Sequence, residues 1–185
     1  NQIVQEEDES PADVFLTENS PAMALVEHSG LFQKLDQDIL DQVPAEFRPS
    51  SGAWVGIAAR STVLAYDKTK LGEDQLPKSM EELADPKWKG RLLVRSSNNI
   101  YNQSLLASII EHDGSEKAEA WAKGLVANFA RDPKGGDIDQ IKALVAGEGD
   151  IAISNTYYFA RMLSSNKEED KKGLENLAVF FPNQG

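Results

Sequence analysis

Apolar residues fall in short runs between charged or turn-forming stretches, and the spacing within the runs predicts alternating strands and helices. Ala12-Asp-Val-Phe-Leu16 reads as a short strand after the charged start at residues 5–10. Ser20-Pro21 reads as an N-cap with proline at the first helical position, opening a helix that stops at Gly30. Residues 54–66 hold two runs rich in Val, Ile, Ala and Leu around Arg60-Ser61-Thr62, which predict one long or bent strand. Ser79 and Glu82 have capping-box spacing before Leu83, and Asp85-Pro86 closes that helix. Residues 91–95 predict a strand, Ser96-Ser97-Asn98-Asn99 a turn, and residues 100–112 a helix with Ile100, Leu105, Ser108 and Ile109 near helical spacing. Ser115 caps a helix carrying Trp121, Leu125 and Phe129. Asp137 with Gln140 resembles a capping box before the stripe Ile138, Ile141, Leu144 and Val145. Residues 150–154 predict a strand, Asn155 opens a helix through Leu163, and residues 177–185 read as a strand running into a turn. This alternation predicts an α/β fold whose sheet is mostly parallel.

Composition narrows the function classes. A chain of 185 residues is one to two domains at about 150 residues each. At 41% hydrophobic and 26% charged, it can bury a packed core. Thirty acidic residues against nineteen basic ones leave a formal charge of -11, which argues against a nucleic-acid binder, since phosphate affinity comes largely from Lys and Arg. No apolar run approaches the roughly 20 residues of a membrane span. The absence of cysteine excludes disulfides, Cys zinc sites and thiol nucleophiles. Gly147-Glu-Gly149 is too short for a nucleotide fingerprint, and neither a P-loop nor a G-x-S-x-G elbow is present. His28 and His112 are isolated, so nothing positive suggests an enzyme. The chain opens at Asn1 without a leader and stops on a strand, and it reads as a piece of a longer protein.

In open α/β sheets ligands bind outside the carboxyl ends of strands, where loops lead into helix N-termini. Glu18 follows the first predicted strand. Ser96, Ser97 and Tyr101 follow the strand ending near Arg95, and Asn155, Tyr157 and Tyr158 follow the strand ending at Ser154. Three of the four tyrosines therefore fall at such junctions. Phenolate and carboxylate are hard oxygen donors suited to a small, highly charged cation. A phenol ionises near pH 10, so binding as phenolate needs a metal able to displace its proton, and ferric ion is the biological metal best able to do so. Three phenolates with Glu18 would give a nearly neutral shell around a trivalent ion. Helix N-termini beside it can hold a small anion, with Asn155 or the Ser96-Ser97 pair assisting. The same residues also allow a plainer reading, in which the Tyr157-Tyr158 pair packs with wet or hydrogen-bonded phenol tips.

Several stretches resemble one family, the ferric-iron-binding periplasmic proteins that serve ABC importers. They are Pro11-Ala-Asp-Val-Phe-Leu-Thr-Glu18, Leu83-Ala-Asp-Pro-Lys-Trp-Lys-Gly90, Arg95-Ser-Ser-Asn-Asn-Ile-Tyr-Asn-Gln-Ser104, Ala127-Asn-Phe-Ala-Arg131, Gly149-Asp-Ile-Ala-Ile-Ser-Asn-Thr-Tyr-Tyr158 and Val179-Phe-Phe-Pro-Asn-Gln184. The resemblance implies a two-lobed, type II periplasmic binding protein fold, incomplete at both ends. Residues 1–62 would be part of lobe one, without its opening strand and helix, and residues 63–185 most of lobe two. It implies iron ligation by Tyr157 and Tyr158, by Tyr101 as in one branch of the family, and by Glu18 as in another. The region of Asn155, Ser96 and Ser97 corresponds to where some members hold a synergistic anion. The cargo implied is Fe3+, the partner an ABC permease, and the setting the periplasm or another extracytoplasmic space, for a monomer. Two other functions stay in view. The same fold can bind a small anion or organic solute without metal, and a hydrolase or transferase would need a base such as His112.

Overall fold

The computed structural model describes residues 2–183, so residues 184 and 185 of the predicted closing turn lie outside the described residues. The backbone packs as two compact units, Asn1–Ala59 and Arg60–Gly185.

In the first unit, helix α1 (Gln2–Glu6) runs into a 3-10 turn, followed after an irregular stretch by α2 (Ser20–His28) and the single turn α3 (Gln37–Leu40). The cap of α2 is Asn19 rather than Ser20: its side-chain oxygen accepts the N–H of Ala22 at 3.1 Å, and Pro21 occupies the first turn, where no N–H is needed. The expected strand at residues 12–16 forms no ladder, and no strand occurs in this unit among the described residues. A strand exists only with a hydrogen-bonding neighbour, and none stands beside it here. Several contacts tie the unit together. Trp54 donates its indole N–H to Glu27 at 2.9 Å, the backbone N–H of Gly56 reaches Phe47 O at 2.6 Å, and Arg48 holds Leu40 O.

The second unit is built on a sheet. Strand β1 (Thr62–Asp67) takes only the end of the long strand expected over residues 54–66, because only there does a ladder form. Strand β2 (Leu92–Leu93) is followed by α4 (Ile100–Asp113), α5 (Ser115–Ala127) and α6 (Asp137–Val145). Strand β3 (Ile151–Asn155) leads directly into α7 (Thr156–Leu163), and α8 (Glu168–Lys171) precedes β4 (Leu177–Phe180). Gly114, at φ +88°, turns α4 into α5, a conformation that residues with a Cβ rarely adopt. The segment expected as a helix after Ser79 is instead two 3-10 turns, Glu81–Ala84 and Pro86–Trp88. The expected box at Ser79 does not form: Glu82 reaches one residue further back, accepting the N–H of Lys78 at 3.0 Å, and the first 3-10 turn starts from Met80 without a side-chain cap. Asp85-Pro86 leaves too few residues for α-helical turns to propagate.

The sheet order is β2-β3-β1-β4. β2 pairs parallel with β3, whereas β1 pairs antiparallel with both β3 and β4. The expectation of a mostly parallel sheet therefore holds for the directions of β2, β3 and β4 but not for the pairing, since β1 lies inverted between two of them. Helical segments join the three co-directional strands, whereas β1 is joined to β2 through 3-10 turns alone.

Alternation along the strands divides the core between the two faces. Leu64, Tyr66, Leu92, Ile151 and Ile153 face one side with Trp121 and Leu125 of α5, Ile109 of α4 and Trp88. Ala65, Leu93 and Ala152 face the other with Ile141 and Leu144 of α6 and Met162 of α7. With both faces covered, the strands read as continuous apolar runs. Buried polar groups pin the 3-10 turns to α5: Asn128 donates to Leu83 O at 2.9 Å and Asp85 O at 2.8 Å, and Trp121 donates to Met80 O at 2.8 Å.

Gly124 lies at the tightest point of that contact, where an added Cβ would fall 2.7 Å from Ala84 Cβ and 2.9 Å from its carbonyl oxygen. Gly→Ala in a helix interior ordinarily gains up to about 1 kcal/mol. Here overpacking dominates, so Gly124→Ala is expected to destabilise the chain by about 1–3 kcal/mol. Urea unfolding followed by tryptophan fluorescence measures it, and a stabilised variant would show that α5 can shift away from Ala84.

Candidate metal centre

The ladder registers bring one set of strand ends together. Thr62 at the start of β1 lies opposite Asn155 at the end of β3, with the end of β2 beside it. Two tyrosine-bearing junctions open from this edge. In the first, the chain leaves β2 through Arg95 and Ser96-Ser97 into α4, whose cap Asn99 accepts the N–H of Tyr101 at 2.9 Å. Asn102 pins the loop by donating to Arg95 O at 2.8 Å and Ser96 O at 3.3 Å. In the second, Asn155 is both the last residue of β3 and the extended residue before α7, and the N–H of Thr156 closes onto Ser61 O at 3.1 Å. Tyr157 and Tyr158 then occupy the first turn of α7.

These junctions bring the tyrosines together. The hydroxyl of Tyr157 donates to the hydroxyl of Tyr101 at 3.0 Å across 56 residues of sequence. The rings of Tyr157 and Tyr158 lie with centroids 4.2 Å apart, tilted by 36°. Tyr157 remains 37% exposed, so the cluster is open to an incoming solute, whereas the fourth tyrosine, Tyr66, is buried in the core. Partial loss of water around Tyr157, then its hydrogen bonds with Tyr101 and Tyr158, push its proton affinity well above the ordinary phenol range. Among the described residues no group of three or more His, Asp or Glu side chains is gathered for a metal, so the phenols are the oxygen donors this edge assembles.

Glu18 lies in the first unit, exposed in the bend before α2. Ser96 is half-buried and Ser97 exposed, and their carbonyls accept from Asn102 and Gln103. Asn155 is nearly buried, with its side-chain N–H facing Asp137 Oδ1 at 3.5 Å. A groove of about 480 Å³ runs from the phenols along α4, lined by Arg60, Thr62, Tyr101, Ser104, Ser108 and Asn155 and reaching His112. His112 itself is exposed, with the neighbouring Asp113 at 3.7 Å, a poor setting for a general base.

Sequence reading missed three residues. The guanidinium of Arg60 sits 4.4 Å from the Tyr101 ring centroid, and that of Arg95 5.5 Å from the same centroid, so cations flank the ring. Asp137 does not cap its helix. That role belongs to Asp139, which accepts the N–H of Gly136 at 2.6 Å, while Asp137 is buried and paired with Arg95. A charged residue inside the apolar run at 54–66 was the available signal for Arg60. Nothing local marks Asp137 as different from an ordinary first-turn acid.

Residues 9–185 match the family described as bacterial extracellular solute-binding protein. The chain is 48% identical over 176 residues to iron uptake protein A1 of Synechocystis, covering 95% of this chain and 49% of that protein. It is 46% identical over 158 residues to the Fe(3+)-binding periplasmic protein of Serratia marcescens, covering 85% and 46% of the two. Among solved structures, a Trichodesmium protein in complex with iron and citrate superposes with a TM-score of 0.93 at 44% identity, over 99% of this chain and 58% of that one. The ferric binding protein of Campylobacter jejuni superposes at 0.90 with 36% identity over the same shares. The fold is thus that of the two-lobed, type II periplasmic binding proteins, and the chain spans about half the length of the curated relatives it matches. These relatives are named for binding and uptake, not for catalysis.

The Tyr157 proton leads to a measurable pH effect. In an ultraviolet titration of the metal-free chain, the Tyr157 phenol is expected to ionise late, well above the ordinary phenol range. Tyr101→Phe removes the oxygen that accepts the Tyr157 proton, so the late step should move down in pH. A late step unmoved by that substitution would show that the hydroxyl contact does not hold the proton.

Proposed function

We propose that this chain, which belongs to the bacterial extracellular solute-binding protein family, captures ferric iron through the phenolates of Tyr101, Tyr157 and Tyr158. The observation that carries the reading is the 3.0 Å approach of the Tyr101 and Tyr157 oxygens, from two separate junctions, with Tyr158 stacked beside them. Phenol oxygens so close are a hard-donor set, and hard donors favour small, highly charged ions over soft ones. The iron and ferric proteins among its relatives support the same cargo. We further assign residues 1–62 to the first lobe of the complete receptor and residues 63–185 to the second. Extracytoplasmic location and delivery to an ABC permease belong to the same proposal.

The groove beside Tyr101 supports a companion role for a small carboxylate. Arg60 lines it with fixed positive charge, and Ser104, Ser108 and Thr62 supply hydroxyls. Ser96, Ser97 and Asn155 remain the junction residues we assign to such an anion, and the Trichodesmium neighbour was solved with both iron and citrate. Citrate alone at saturating concentration separates this role from the metal-free reading. Strong binding without iron would favour the fold as a receptor for organic anions. Glu18 enters as a ligand through its sequence resemblance alone, and Glu18→Gln tests it separately from the phenols.

Ferric iron added to the chain is expected to produce a visible phenolate-to-iron absorption band. Tyr157→Phe should abolish or strongly weaken that band and lower affinity by more than about 100-fold, beyond what loss of a supporting group costs. An unchanged spectrum and affinity would rule out Tyr157 as a ligand. Because the bound ion replaces phenol protons, affinity should rise with pH, by up to about two log units per pH unit when two protons leave. Competition with a chelator of known proton dependence measures the slope, and a flat profile would mean that neutral phenols, not phenolates, meet the solute.

A further inference from the structure

Asp137, at the first turn of α6, is 2% exposed and lies outside the phenol cluster. Its two oxygens face different partners. Oδ2 accepts from Nη1 of Arg95 in an ion pair, and Oδ1 accepts the backbone N–H of Asn155 at 3.2 Å and faces its Nδ2 at 3.5 Å. Arg95 belongs to the junction that carries Tyr101, against whose ring its guanidinium packs at 5.5 Å. Asn155 is the residue from which α7 starts, two positions before Tyr157. One buried carboxylate therefore touches both junctions.

We propose that Asp137, acting with Arg95, is a positioning bracket that fixes the separation of the two tyrosine-bearing junctions, so that the phenol oxygens stand close before any ion arrives. The inference rests on the phenolate reading above. Its physical basis is that a buried carboxylate is tolerated only when hydrogen-bonded and paired, so each oxygen holds its partner in a defined direction. The N–H of Gly136 at the start of α6 is taken by Asp139, while the Asp137 oxygens face Arg95 and Asn155. Metal sites depend on such supporting groups, because ligands held loosely must be ordered when the ion binds.

The test uses the full chain and two variants. Asp137→Asn keeps an oxygen for the Asn155 N–H but removes the charge facing Arg95. The double variant R95M/D137N removes both charges together and so leaves no lone buried ion. With each variant folded by circular dichroism, two readouts are expected to change. Ring-to-ring NMR contacts between Tyr101 and Tyr157 should disappear in the metal-free protein. Ferric affinity, measured against a competing chelator, should fall by about 10–100-fold with a shifted visible band. In a Tyr101→Phe background the same substitution should cost little further affinity, because the two act through one group. Retained ring contacts in either folded variant overturn the bracket, and so do lost contacts with affinity and band unchanged. A wild-type chain that gives no visible band, while Asp137→Asn still loses the ring contacts, overturns the ferric reading and supports the bracket.

Discussion

Two phenol oxygens at hydrogen-bond distance are under a constraint that everything else at this edge answers to. They cannot both be ionised unless a cation sits with them. At 3.0 Å the repulsion of two unit charges is on the order of 5 kcal/mol at an effective dielectric constant of about 20. Without a cation the arrangement is stable only with a proton between the oxygens. That agrees with the direction in which Tyr157 is driven, toward the neutral form. A multivalent cation inverts the sign of the interaction, because the same oxygens then attract a common centre. The metal-free cluster is thus a proton-holding state of what becomes, on the proposed reading, an ion-holding one. A chain with net charge -11 biases the nearby solution toward cations in the same direction.

Bringing those oxygens together is the work of the sheet. Tyr101 and Tyr157 belong to different helices, and neither helix alone can place the second phenol. Because β1 is inverted between β3 and β4, its first residues stand level with the last residues of β3. The same inversion puts Arg60, just ahead of β1, over the ring of Tyr101. A wholly parallel sheet would have sent the start of that strand to the opposite edge, away from the phenols. Both faces of the sheet are packed with apolar side chains, so the strand ends cannot slide without exposing Leu92, Ile151 or Leu64. The rigidity of the site is therefore inherited from the core.

How much of this was legible in the sequence depended on whether the deciding interaction was local. Helices α4, α5, α6 and α7 carry their own signals in apolar spacing and flanking Asn, Gly and Ser, and each occurs within a residue or two of its expected bounds. The junction tyrosines were visible for the same reason, since a strand followed by a helix start is a local pattern. Strands depend on partners, and there the reading failed. Residues 12–16 and 54–61 look like strands in composition but have no ladder, and β1 gives no sign in its residues of which way it will run. Asp137 shows the same limit in a side chain. Its local context, an acid in a first helical turn, is that of a helix cap, whereas its actual partners lie 42 and 18 residues away.

Proton displacement also sorts cations by charge. Removing a proton from an ordinary phenol at neutral pH costs about 4 kcal/mol, and more where burial and hydrogen bonding favour the neutral form. A cluster that must give up two or three such protons sets a threshold that each candidate ion has to exceed through its attraction to the resulting phenolates. That attraction grows with ionic charge at similar radius, so the threshold favours a trivalent ion over a divalent one. Crowding the phenols raises the threshold and, once they are ionised, deepens the well for the ion that crosses it. On the phenolate reading, the short oxygen-to-oxygen contact is therefore a source of selectivity as well as affinity, and a more open spacing of the same three tyrosines would admit divalent ions more readily.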